Sequence, residues 1–224
     1  MKLFLDSADI AAIRWAAAAG LIDGVTTNPT LLAQVAGTRP PREILAEICA
    51  AVRGPVFAEV IAVDLEGMVR EGKELARLAE NVVVAVPVLE EGLAATRRLA
   101  ADGIAVDVTL VFSAMQALLA AKAGAAYVSP FVGRLDDAGH DGMAVVGQIR
   151  TIFTTYDLET EVLAASIRHP LHALQAALAG ADAATLPPAV LRQLIRHPLT
   201  DRGVDQFLND WSRLGRERPD GPEA

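Results

Sequence analysis

The chain has 224 residues, of which 52% are hydrophobic and 21% charged, a composition typical of a folded domain rather than a disordered segment. Its net charge of −8 offers no basic surface to neutralise phosphates, which argues against nucleic acid as a partner. No apolar run reaches the roughly 18–20 residues needed to cross a membrane, and Met1 leads directly into the first predicted strand, so we expect a cytoplasmic protein.

Short apolar runs alternate with segments of helical periodicity along the whole chain. The runs that predict buried parallel strands are Leu3–Leu5, Gly24–Thr27, Val56–Ala62, Val82–Val86, Ile104–Val111, Tyr127–Phe131, Val162–Ala165 and Ala183–Leu186. The helical segments between them include Glu66–Ala79, Glu90–Ala101 and Ala114–Ala123. Such repetition predicts an α/β fold, a single (β/α)8 TIM barrel with an extra C-terminal helix. The alternative is an open doubly wound sheet, although no Gly-x-Gly-x-x-Gly follows any strand.

One domain is predicted, because no linker rich in Pro, Gly or Ser divides the chain. We assign residues 1–215 to the barrel with its C-terminal helix, a length that suits one barrel of roughly 200–250 residues. Residues 216–224, which contain Pro219, Gly221 and Pro222, are predicted to form a flexible tail.

Polar residues close nearly every predicted strand, and they are too dense to be core filling. They include Asp6, Thr26, Thr27, Asn28, Glu59, Asp107, Thr109, Ser129, Arg134, Ser166 and Arg168. Because barrels of this kind carry their site at the carboxyl ends of the strands, these residues are predicted to face one cavity.

Neither a metal nor a cofactor is predicted. His169 and His172 lie three residues apart, but no third ligand accompanies them. Three acids lie near His140, namely Asp136, Asp137 and Asp141. They precede a helix and are better suited to capping it than to holding an ion.

Four sequence blocks in order resemble one known family. They are Gly24–Pro29, Tyr127–Asp137, Ala164–Pro170 and His197–Asp201. The chain is similar, from Leu3 to about Trp211, to the transaldolase/fructose-6-phosphate aldolase family. This resemblance implies a barrel that acts on sugar phosphates as small-molecule substrates. It also implies a homo-oligomer, a pentamer or decamer.

The resemblance implies a role for each matching residue near the strand ends. Asp6 matches an acid/base carboxylate, and Asn28 matches a residue that orients substrate hydroxyls. Glu59 and Thr109 match the pair that holds a catalytic water, and Phe131 points to the transaldolase branch.

A phosphate clamp is implied by the match at Arg134, Ser166 and Arg168. Two guanidiniums and a hydroxyl at strand ends also suit phosphate binding on chemical grounds. The alternative is that Arg134 pairs with Asp136 or Asp137 on its own loop.

Five positions depart from the family pattern. Ala85 stands where the resemblance implies the lysine that forms an imine with a carbonyl substrate, and alanine has no amine for this chemistry. Val63 and Leu89 stand where threonine is usual, and Met115 stands in place of asparagine. Asp107 also replaces asparagine, and thereby adds a carboxylate. Together these changes predict an apolar cavity around one acid.

A carboxylate among apolar walls is desolvated, which strengthens it as a base. We therefore hypothesise that the barrel has been repurposed, with design or laboratory evolution as one origin. Asp107 is predicted to be the general base, acting on a flat, uncharged carbon acid held by Val63, Leu89 and Met115. A Kemp-type ring-opening elimination needs only such a base and pocket.

Two other functions stay open. One is a transaldolase or fructose-6-phosphate aldolase inactivated at Ala85, and the other is a sugar-phosphate binder without catalysis. The remaining lysines, Lys2, Lys73 and Lys122, are predicted to lie at the wrong barrel end or on outer helices, so no imine is expected. The alternative to a catalytic role is that Asp107 simply replaces asparagine and forms a hydrogen bond with Thr109 or Asn28.

Overall fold

The computed structural model describes residues 1–213. Its eight parallel strands close into one barrel in sequence order, each bonded to the next and the last to the first. The strands are β1 (Lys2–Asp6), β2 (Gly24–Thr26), β3 (Val56–Glu59), β4 (Val82–Pro87), β5 (Val106–Val111), β6 (Tyr127–Pro130), β7 (Glu161–Ala164) and β8 (Ala183–Leu186). The predicted (β/α)8 barrel is confirmed, and the open doubly wound sheet is excluded.

Helices surround the barrel, and the predicted C-terminal helix is present. They are α1 (Ile10–Ala18), α2 (Pro29–Ala36), α3 (Pro41–Ala51), α4 (Leu65–Ala76), α5 (Glu90–Ala101), α6 (Ala114–Ala123), α7 (Val132–Asp137), α8 (Gly142–Thr155), α9 (Pro170–Leu178), α10 (Pro188–Ile195) and α11 (Pro198–Arg213). The predicted tail, residues 216–224, lies outside the described residues. Within residues 1–213, no helix combines the length and apolar character that a membrane span requires.

The third strand is shorter than predicted, since it ends at Glu59 and not at Ala62. The backbone N–H groups of Ile61 and Ala62 donate to the Glu71 carboxylate on α4, at 2.7 and 3.0 Å. These donors are therefore satisfied by a helix side chain rather than by a neighbouring strand, and the chain turns away from the sheet.

The amino-terminal half of the barrel interior is closed by side chains. Phe4, Phe57, Val83, Leu163 and Ala183 form one buried cluster there. The Phe4 and Phe57 rings lie 5.4 Å apart between centroids. Open space inside the barrel is therefore confined to the carboxyl ends of the strands.

Helix α2 is the least embedded element beside this end. None of its residues is fully buried, although Asn28 caps its first turn by accepting a hydrogen bond from the Leu31 N–H at 2.9 Å. A second cavity of about 480 Å³ lies between α2, α3 and α4, with Leu32, Leu45 and Leu75 in its wall. The helix thus packs on the core only through partly buried side chains, and a void lies beside it.

Candidate active site

A cavity of about 190 Å³ opens at the carboxyl ends of the strands. It brings together most of the residues that the sequence singled out, from six of the eight strands or the loops after them. The predicted residues in its wall are Asp6, Asn28, Glu59, Asp107, Thr109, Ser129, Phe131, Arg134, Ser166 and Arg168. Their side chains are polar or charged with one exception, so the cavity is suited to a polar ligand.

Asp107 lies on the cavity wall and is only 3% exposed. The Ser129 hydroxyl lies 2.8 and 2.9 Å from its two carboxylate oxygens and donates its proton to them. Burial raises the pKa of the Asp107 carboxyl to about 7, while the Ser129 hydrogen bond lowers it and the charge of Glu59 raises it further. This carboxyl therefore both accepts and releases a proton near neutral pH.

Strand pairing places Ala85 between two carboxylates. Its partner on β3 is Glu59, and its partner on β5 is Asp107. Paired residues on neighbouring strands point to the same face of a sheet. A side chain longer than alanine at this position would consequently extend between the two acids.

No lysine lies in the wall of the cavity. Lys2 forms a salt bridge with Glu161 at 2.8 Å, and Lys73 forms one with Asp102 at 2.7 Å. Lys122 is exposed on α6. All three lysines of the sequence are thus away from the wall of the site.

A second polar network lies across the barrel from Asp107. The Thr26 hydroxyl donates to the Asp6 carboxylate at 2.9 Å, and it lies 2.6 Å from the Thr185 hydroxyl. Burial raises the pKa of Asp6, and the bond from Thr26 lowers it. Burial also raises the pKa of Glu59, which the charge of Arg134 lowers. Thr185 was missed by sequence reasoning, and its only signal is an alternating inward position on the last strand.

The two arginines of the predicted clamp lie on neighbouring loops, after β6 and β7. The Arg134 guanidinium sits over the Phe131 ring, 4.8 Å from its centroid, and forms no salt bridge within residues 1–213. Arg168 pairs with Asp137 at 2.8 Å. The predicted alternative, in which Arg134 pairs with Asp136 or Asp137, is therefore wrong, because Asp137 is held by the other arginine.

Two histidines support this loop structurally. The Arg168 backbone N–H donates to His172 Nδ1 at 3.3 Å, and His172 Nε2 lies 2.9 Å from Asp136. His169 caps α9. Burial lowers the pKa of His172, which favours the neutral ring that accepts the Arg168 bond. No cluster of metal-ligating side chains occurs in the described part of the chain.

Comparison with known proteins identifies the origin of this arrangement. The sequence pattern of the family "Transaldolase/Fructose-6-phosphate aldolase" matches residues 3–218. The chain belongs to the transaldolase/fructose-6-phosphate aldolase family. It is 56% identical to a "Probable transaldolase" of Phenylobacterium zucineum (strain HLK1), covering 96% of this chain and 99% of that protein. It is 58% identical to another of Sorangium cellulosum (strain So ce56), covering 96% and 98%.

A solved structure supports the fold alone. It is described as "Structure of a cube-shaped, highly porous protein cage designed by fusing symmetric oligomeric domains". The TM-score is 0.62 at 15% sequence identity, over 96% of this chain and 79% of that one. The family membership predicted from four sequence blocks is thus confirmed, whereas the position of the family lysine at Ala85 stays a prediction.

Three of the predicted departures from the family pattern lie outside the cavity. Val63, Leu89 and Met115 are 70%, 43% and 60% exposed, and none of them contributes to its wall. Leu89 precedes the first turn of α5, and Met115 lies in the first turn of α6, so both stand above the strand ends. The predicted apolar cavity around Asp107 is therefore wrong, and Asp107 is surrounded by hydroxyls and charges instead.

The close approach of the two clamp loops requires glycine at position 133. A Cβ there would lie 2.2 Å from the Ser166 carbonyl oxygen and 2.6 Å from Arg168 Nε. We expect Gly133→Ala to lower the free energy of unfolding by about 1–3 kcal/mol and to displace Arg168. Gly147→Ala is the matched control, because nothing lies within 4 Å of its Cβ, and it should stabilise α8 by about 0.5–1 kcal/mol. Urea unfolding measures both, and equal effects would contradict the packing argument.

Burial of Asp107 predicts a stability that falls as the pH rises. Its pKa of about 7 in the folded chain exceeds the ordinary value of 3.8, so the folded state binds the proton more tightly than the unfolded chain. Asp107→Asn removes this titration. We expect the variant to be more stable by up to about 4 kcal/mol at about pH 8, and to lose this advantage at about pH 4 and below.

Thermal and urea unfolding across this pH range test the expectation. Asp205→Asn on exposed α11 is the control, because it removes the same charge without a buried carboxyl. An equal gain in both variants would show that net charge, and not burial, is responsible.

Proposed function

We propose that this transaldolase-family barrel is an enzyme in which Asp107 acts as general base on a small carbon acid. The observation that carries the proposal is a buried carboxyl with a pKa of about 7 on the wall of a cavity that contains no lysine. A base of this strength is half ionised at neutral pH, which suits proton transfer from carbon.

The proposed step moves one proton and one electron pair. The Asp107 carboxylate takes a proton from the carbon beside a carbonyl, and the C–H electrons form a carbon–carbon double bond as the carbonyl oxygen becomes negative. The protonated Asp107 exchanges its proton with solvent and then delivers a proton, or a deuteron in deuterated water, to the same carbon. Ser129 fixes the orientation of the carboxylate through its short hydrogen bonds.

The two arginines of the site favour a substrate with an anionic group over the flat, uncharged compound suggested by the sequence. Arg134 lacks a salt-bridge partner within residues 1–213, and Arg168 has only an exposed one. Two guanidiniums beside the Ser166 hydroxyl suit a phosphate group, which is in keeping with the sugar phosphates of the family.

Exchange of carbon-bound protons tests this function without knowledge of the final product. Dihydroxyacetone phosphate in deuterated water is followed by proton NMR with this chain and with Asp107→Asn. The proposal is supported if the NMR signal of the protons on the carbon beside the carbonyl disappears with this chain but persists with Asp107→Asn. Turnover of a benzisoxazole would show the Kemp-type elimination, in which the carbon proton passes to Asp107 as the ring N–O bond breaks.

A sugar-phosphate binder without catalysis is the second candidate, favoured by Arg134, which forms no salt bridge within residues 1–213. It predicts that fructose 6-phosphate raises the melting temperature while neither probe reacts. An aldolase inactivated at Ala85 would give the same result, but would regain its reaction in Ala85→Lys.

The cytoplasmic location and the pentameric or decameric assembly stay proposals that rest on family membership. Light scattering after size-exclusion chromatography measures the assembly directly.

A further inference from the structure

The mouth of the cavity has an apolar side. Five large apolar side chains are exposed on the segments that follow three adjacent strands, β3, β4 and β5. We call them the apolar arc: Ile61, Val63, Leu89, Phe112 and Met115. Their exposed fractions range from 37% at Phe112 to 70% at Val63. Exposed apolar groups gathered at one edge of a site mark a binding surface more often than scattered ones do.

The apolar arc is joined to the cavity at both ends. The Phe112 ring meets the Phe131 ring edge to face, with centroids 6.1 Å apart, and Phe131 lines the cavity. At the other end, Glu59 lines both the cavity and the neighbouring void that Ile61 borders. A ligand in the cavity can therefore continue onto the apolar arc over the Phe131 and Phe112 rings.

The opposite side of the mouth carries positive charge. Arg134 and Arg168 follow β6 and β7, and the Arg134 guanidinium stacks on the same Phe131 ring that contacts Phe112. The order of groups round the mouth is thus apolar arc, aromatic pair and arginines. Asp107 lies on β5, the last strand of the apolar side, which pairs with β6 of the arginine side.

We propose that the site takes an amphipathic substrate, a phosphorylated carbon acid with an aromatic or similarly flat apolar substituent. The phosphate binds Arg134 and Arg168, the substituent covers the apolar arc, and the reacting carbon lies near Asp107. The proposal rests on the proposed function for the position of that carbon, but its binding part does not depend on turnover. It also gives Val63, Leu89 and Met115 a common role outside the cavity.

Calorimetric titration with two unreactive phosphates tests the binding part. Phenyl phosphate carries the aromatic group, and glycerol 3-phosphate lacks it. We expect this chain to bind phenyl phosphate about tenfold more tightly, given the apolar area that a ring buries. Val63→Thr/Leu89→Thr/Met115→Asn should abolish this preference and change the affinity for glycerol 3-phosphate less than about twofold.

A control separates the apolar arc from exposed apolar surface in general. Leu174→Thr/Leu178→Thr replaces two exposed leucines of α9, a helix that does not belong to the apolar arc. This variant should keep the preference for phenyl phosphate. A preference retained in the triple variant, or no binding of either phosphate to the unchanged chain, would overturn the proposal. A triple variant that changes assembly state in light scattering with unaltered binding would assign the apolar arc to a second copy instead. Failure of the Asp107 assays alone would overturn only the proposed function.

Discussion

Asp107→Asn is expected to lower the rate of proton transfer from carbon by roughly 10²–10⁴-fold, the usual contribution of a positioned general base. The amide keeps the size of the side chain and can still bond Ser129, but it has no basic oxygen. In the unchanged chain the rate should rise through a pH of about 7 and level off above it, because only the carboxylate form of Asp107 accepts the proton. Exchange in deuterated water over this range measures both effects.

Glu59→Gln distinguishes a catalytic Asp107 from a structural one. The charge of Glu59 raises the pKa of Asp107, so its removal should move the midpoint of the pH profile to lower pH. If Asp107 had only a structural role, removing the charge of Glu59 would not move the midpoint of the pH profile. The assignment of Asp107 as general base would be refuted if Asp107→Asn kept the full rate. It would also be refuted if Glu59→Gln left the midpoint of the pH profile unchanged.

Ala85→Lys is expected to convert a chain that forms no imine into one that does. The new amine would extend between Glu59 and Asp107, its partners in strand pairing. Two carboxylates stabilise the ammonium form, which raises the amine pKa and reduces the free amine that attacks a carbonyl. We therefore expect more imine when Ala85→Lys is combined with Asp107→Asn.

Borohydride reduction in the presence of fructose 6-phosphate traps the imine as a stable adduct, which mass spectrometry detects. The unchanged chain is the control, since its lysines pair with surface acids or lie on outer helices. An adduct in the unchanged chain would show that another lysine reacts. No adduct in either variant would show that position 85 is not the lysine position of the family.

The sequence alone predicted the barrel closely, because buried parallel strands are continuous apolar runs and their ends are marked by polar residues. The run from Val82 to Val86 is an example, and its observed strand is one residue longer. The end of β3 was not predictable, since it depends on Glu71 of a helix that comes later in the chain.

The site was predicted only in part for a similar reason. Strand-end residues such as Asp107 and Ser129 face the cavity because alternation along a strand fixes their direction. Val63, Leu89 and Met115 lie beyond the strand ends, where helix starts determine direction and no periodic rule applies. The pairing of Asp137 with Arg168 also joins two loops that the sequence does not connect.

The rigidity of this barrel is unequal on its two sides. Helix α2 has no fully buried residue and borders a void of about 480 Å³, whereas every residue of the preceding strand β2 is buried. An element with so few buried contacts opens at a small fraction of the free energy that unfolds the whole molecule. Its amide protons should exchange with solvent long before those of β4 and β5. Because Asn28 caps this helix and lines the cavity, opening of α2 would also displace Asn28 from the cavity wall.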